Sequence, residues 1–119
     1  NRNEAPVFAE RMRGAVEAFN FDVGNGIILK KTCSIGYACF PFLVDEPNDV
    51  DWERVVDIAD HCLYAAKKSS RNAWVGIENI SCNSITAFVD VTENTKNQID
   101  SSNIKVSSCI AKKESIKWT

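Results

Sequence analysis

The sequence lacks the spacings that carry metal and disulfide chemistry. It has one histidine, His61, and five cysteines at 33, 39, 62, 82 and 109, an odd number with no CxxC spacing. That pattern offers neither a zinc site nor a disulfide framework, and reduced thiols are the expectation. No apolar run approaches a membrane span and no charged-then-apolar leader opens the chain, so a soluble, cytoplasmic unit without membrane contact is expected, with anchoring of a longer parent left open. A strong charge balance is missing too. Fourteen basic against sixteen acidic residues give a formal net charge of -2, which argues against a broad grip on nucleic acid and leaves room only for a local site for a small polyanion. With 119 residues the chain can bury one modest core, so one globular unit plus a tail is expected. The first residue is Asn1, not Met, which suggests a piece of a longer protein. Asn79-Ile80-Ser81 matches a glycosylation sequon, read here as chance in a chain without secretory features.

What is present is a short series of well-patterned segments. Over residues 4–19, Phe8, Met12, Ala15, Val16 and Phe19 recur at helical spacing, and Pro6 places the helix start near Glu4 or Ala5. Two strands, 19–23 and 27–40, are predicted to form a hairpin about the Gly24-Asn25-Gly26 turn. A loop with two of the three prolines follows, and Asp49 or Asp51 can cap the next helix. In that helix, 52–68, the stripe Trp52, Val56, Ala59, Leu63, Ala66 is expected to face a sheet or helix. Residues 72–80 read as a strand. Beyond 81 polar residues dominate, apart from alternating segments at 84–91 and 103–110 that suit strands. The last residues are expected to be ragged. Helix, hairpin, helix, strand is an α+β layer pattern.

Three segments, FAERMRGAVEAFNF, TCSIGYACFP and DIADHCLYAAKKSSRNAWVG, occur in an order that resembles the second half of a GGDEF domain, the family of diguanylate cyclases. The ordered set of T-x-S-I-G, A-D-x-x-L-Y-x-A-K and R-N carries the likeness. It covers about residues 4–79, so residues 1–80 are expected to form the C-terminal half of such a domain and 81–119 a C-terminal extension.

The resemblance implies a partial nucleotide-cyclase palm and a parent reaction in which two GTP molecules condense to cyclic di-GMP in an antiparallel dimer, aided by Mg²⁺ or Mn²⁺. It implies that Lys67 and Arg71 hold GTP phosphates, an ammonium giving a compact charge and a guanidinium a two-pronged donor. It also implies that Arg11 serves an inhibitory cyclic di-GMP site. On spacing alone, Lys67 and Arg71 equally suit the negative end of a helix dipole, and Arg11 a solvated helix face. Asp60 reads as a structural contact, His61 as exposed helix surface, and Gly36 as a point of close backbone approach.

The family's eponymous hairpin and the preceding strand with its metal-binding Asp are absent from this sequence. No metal ligand and no catalytic residue can therefore be named, and the chain alone is expected to be inactive. Its uncovered apolar faces are expected to drive a homodimer or a swapped oligomer, or to lean on the tail. The parent would carry an upstream sensor domain. Two alternatives stay open. One is a degenerate module that binds GTP or cyclic di-GMP, or only dimerises. The other, disfavoured by the charge balance, is an unrelated interaction or RNA-binding domain. Ser70 stands where relatives usually carry Gly, which is costly if that position needs a positive φ.

Overall fold

The computed structural model describes residues 4–39, 52–80, 104–112 and 115–118. Among them are helix α1 (Ala5–Ala18), strands β1 (Asn20–Asp22), β2 (Ile28–Lys30) and β3 (Ile35–Ala38), helix α2 (Trp52–Ser69), and strands β4 (Trp74–Ile80) and β5 (Ile104–Ser108). The architecture is α+β, as expected. The strand expected at 84–91, the capping aspartates 49 and 51, and Cys82 lie outside the described residues.

Pro6 in the first turn of α1 gives up no hydrogen bond there, because the first amides of a helix have no internal partner. The helix ends where Phe19 turns extended (φ -75°, ψ 137°) while its amide still donates to Ala15 and Val16. The chain runs straight into β1, which pairs antiparallel with β2 from Asn20↔Lys30 to Asp22↔Ile28. Gly24, Asn25 and Gly26 all have positive φ (96°, 56° and 75°), which a Gly-Asn-Gly turn accommodates at little cost. Asp22 Oδ1 accepts from the Gly24 amide at 2.9 Å and tightens the turn.

The long second strand expected over 27–40 is two strands in two sheets. Asn20 is the last paired residue on the β1 side, and before it lies the end of α1, so the hairpin has no partner for anything after Lys30. Lys30 closes it by donating to the Ala18 carbonyl (3.1 Å) and to Asn20 Oδ1 (3.0 Å). The chain then crosses to a second sheet of order β3-β4-β5. There β3 runs parallel to β4, Ile35↔Trp74 to Ala38↔Ile77, and β5 runs antiparallel on its other side, Val75↔Ser108 and Ile77↔Val106, with an irregularity between Ile77 and Asn79.

Helix α2 packs on one face of this sheet. Its buried side chains are Val55, Ile58, Cys62, Ala65 and Ala66, which meet Val75, Ile77 and Val106. The expected stripe is met in part: Ala66 is fully buried and Ala59 and Leu63 lie half-buried against β3, but Val56 is exposed. The contact with β3 fixes that phase. A Cβ built on Gly36 would overlap the backbone of Leu63 and Ala59, so glycine lets the helix backbone lie directly on the strand.

The apolar stripe of α1 is uncovered. Ala9 is the buried residue of that helix, while Phe8, Met12 and Phe19 are exposed, as are Val23, Ile27 and Ile28 on the hairpin. Ala15, Val16, Phe19 and Phe21 line an open apolar cleft of about 310 Å³. The helix turns its charged side, not its apolar side, toward the sheet.

The final residues are not ragged where they are described. The amide and hydroxyl of Ser115 both donate to the Lys112 carbonyl (3.0 and 2.6 Å), and Ile116 and Trp118 are both buried in the core beside α2. No described helix is long and apolar enough to cross a membrane.

Candidate phosphate-binding edge at the end of helix α2

Helix α2 ends in an unusual turn. The amides of Ser70 and Arg71 both donate to the Ala66 carbonyl, at 3.2 and 2.9 Å. Arg71 and Asn72 then take left-handed φ values of 54° and 47°, a conformation that costs a non-glycine residue roughly 1 kcal/mol. The positive φ that would have penalised Ser70 thus falls at the next two positions. Asparagine tolerates it better than most residues, because its short amide can bond nearby groups.

Asn72 is held by more than its backbone. Its Oδ1 accepts from Arg13 (3.0 Å) and its Nδ2 donates to Glu17 (2.7 Å), both on α1. Arg13 pairs in turn with Glu10 (2.6 Å) and with Glu17, one turn away on either side. Glu10 also accepts from the indole N–H of Trp74 at 2.8 Å, and Trp74 packs against Tyr37 with ring centroids 6.1 Å apart. The charged side of α1 is thereby tied to the turn after α2 and to the first residue of β4. The Arg13 hydrogen bonds, with help from Trp74, hold the Glu10 carboxyl down at about 2. Hydrogen bonds from Asn72 and then Arg13 lower Glu17, and the two carboxylates raise Arg13 in return.

Lys67 and Arg71 stand exposed at this end of α2, two residues on either side of Ser69. Lys67 is in the last turn of the helix and Arg71 on the clamped turn that follows it. Arg11 is exposed on α1 and belongs to no ion pair among the described residues. Asp60 is exposed on α2. His61 is not exposed surface: it is half-buried, its ring stacked on Trp118 with centroids 5.5 Å apart, and desolvation lowers its pKa. Cys62 is fully buried, and burial pushes its thiol up to about 12, which removes it as a nucleophile at neutral pH.

The clamp of Glu10, Arg13, Glu17 and Asn72 was not anticipated from sequence. Its local half is visible there, because Glu10, Arg13 and Glu17 are spaced by three and four residues. Its long-range half is not.

Comparison with known proteins agrees with the motif reading. Over 72 residues, 60% of this chain, the sequence is 38% identical to the diguanylate cyclase DosC of Escherichia coli (strain K12). The same figures hold for the proteins of that name from Escherichia coli O157:H7 and Shigella sonnei (strain Ss046). The chain is similar to diguanylate cyclases. The matched stretch is 14% of the length of each of these relatives. No family model and no solved structure matches the chain.

Proposed function

We propose that this chain is part of a GGDEF domain whose parent condenses two GTP molecules into cyclic di-GMP, and that its own contribution is to bind and neutralise GTP phosphates through Lys67 and Arg71. The observation that carries the reading is the strained, clamped turn after α2. Two consecutive non-glycine residues with left-handed φ, held by side-chain bonds to another helix, fix the backbone from which the Arg71 guanidinium projects. Local strain kept in place by surrounding structure is a mark of positions that serve a site. The similarity to proteins named diguanylate cyclases supplies the chemistry such a site would serve.

In this reading Lys67 offers a point charge and Arg71 a planar donor pair to the phosphate oxygens. Both offset charge that gathers on the leaving pyrophosphate. Among the described residues no three His, Cys, Asp or Glu side chains gather as a metal site. The Mg²⁺ or Mn²⁺ that the resemblance implies is therefore assigned to no residue here, and no step of the chain's own chemistry runs through it. The isolated chain is inactive on this view. Arg11 would serve the inhibitory cyclic di-GMP site, and a homodimer, or a swapped oligomer, would bring two GTP molecules together.

The test is turnover of GTP by the complete parent domain. Lys67→Ala and Arg71→Ala should each lower kcat about a hundredfold, the scale seen when one charge-stabilising donor is removed. Full turnover in both variants would sink the reading. A parent without turnover that still binds GTP or cyclic di-GMP would instead support a regulatory, degenerate module.

A further inference from the structure

The cation pair at the end of α2 is not left to the helix alone. The segment that follows β5 folds back across this end of the molecule, and the Lys117 amide donates to Ser69 Oγ at 2.7 Å. Ser69 is the residue midway between Lys67 and Arg71. Ile116 and Trp118, on either side of Lys117, are buried in the core against α2, whereas Lys117 itself is exposed. With Ile116 and Trp118 turned into the core, the exposed Lys117 side chain faces solvent, and its own amide holds it beside Ser69.

Lys67, Lys68 and Arg71 lie within two residues of Ser69, and Lys117 is bonded to it; among the described residues none of these four cations forms an ion pair. The described ion pairs are spent elsewhere, on Arg13 and Lys105. In a chain of net charge -2 this is a local concentration of positive charge that no ion pair among the described residues offsets. The negative end of α2 offsets part of the repulsion, and a bound polyphosphate would offset the rest.

We propose that Lys117 is a third phosphate-binding cation, supplied by the C-terminal extension to the site of Lys67 and Arg71. The inference rests on the phosphate reading of that site and adds to it a residue outside the motifs. The ligand class is a polyphosphate, either the triphosphate of a nucleotide or its pyrophosphate product.

Titration of the intact chain with inorganic tripolyphosphate, followed by amide chemical shifts, tests this without the guanine-binding part of a complete domain. Shifts are expected at Lys67, Ser69, Arg71 and Lys117. Lys117→Gln should weaken the apparent Kd about threefold, as suits one exposed charge pair, and leave the melting temperature unchanged. Lys67→Ala should weaken it at least as much. If Lys117→Gln binds like the parent chain while Lys67→Ala does not, the inference fails and the phosphate reading survives. No shifts at all, or equal shifts with sodium chloride at matched ionic strength, would overturn both.

Discussion

The side-chain amide of Asn72 donates to Glu17 across 55 residues of chain, at 2.7 Å, while its carbonyl accepts from Arg13 at 3.0 Å. One residue in a left-handed conformation thus joins the turn after α2 to the charged side of α1. Position and conformation are coupled there: the amide reaches α1 from a backbone that has turned back on itself.

That coupling can be separated by substitution. Asn72→Ala should cost about 1–3 kcal/mol, through the lost hydrogen bonds and the left-handed φ together. Asn72→Gly keeps the backbone free and removes only the side chain. Urea unfolding of both should give Gly a loss within a few tenths of a kcal/mol of Ala if the clamp dominates. A fully stable Asn72→Gly would show that only the φ angle mattered.

Glu10 makes the clamp sensitive to acid. Its carboxyl is held at about 2 instead of 4.5, chiefly by the Arg13 hydrogen bonds. A depressed folded-state pKa gives stability that is present above about 4.5 and is lost as pH falls toward 2. The side chain is 47% exposed, so solvent screening limits the effect to about 1 kcal/mol or less. Thermal melts from pH 6 to pH 2 should show a fall in this window that Glu10→Gln reduces. An identical pH profile in that variant would remove Glu10 from the account.

Gly36 sets how closely α2 approaches β3. A Cβ there would overlap the backbone of Leu63 and Ala59, and backbone moves less readily than a side chain. Gly36→Ala should therefore cost about 2–3 kcal/mol, the range of an overpacked core. A loss below 0.5 kcal/mol in denaturant titration would show that the helix shifts freely.

Local order was legible in the sequence; the direction each helix faces was less so. Pro6, the Gly24-Asn25-Gly26 turn and the spacing of α1 and α2 located the first elements to within a residue or two. Periodicity identifies an apolar stripe but not what covers it. On α1 the stripe of Phe8, Met12 and Phe19 is exposed, because Arg13 and Glu10 are drawn inward by Asn72 and Trp74. On α2 the absent Cβ of Gly36 sets the phase. The 27–40 strand broke because β1 is too short to pair with all of it, a limit set by where α1 ends. Lys67 and Arg71 were named through the family motif, whereas the left-handed turn that carries Arg71 off the helix axis was not foreseen at that position. Lys117 was missed because its place depends on a tail contact with Ser69 that no local pattern encodes.

The His61–Trp118 stack supplies the sharpest test of that tail. Trp118 is buried in the core and its ring lies 5.5 Å from that of His61. Removing the indole opens a large cavity, so Trp118→Ala should cost about 3–5 kcal/mol, and Trp118→Leu, which fills part of the space, clearly less. Desolvation depresses the His61 pKa, hence the neutral ring is favoured in the folded state. Stability should be level above about 6.5, the ordinary value, and should decline as pH falls below it until the folded-state pKa is passed. In Trp118→Leu the imidazole regains water, and its pKa, read from the ring proton resonances, should rise toward 6.5. A His61 titration unchanged by that substitution would mean that the tail does not cover α2 in solution, and the placement of Lys117 beside Ser69 would fall with it.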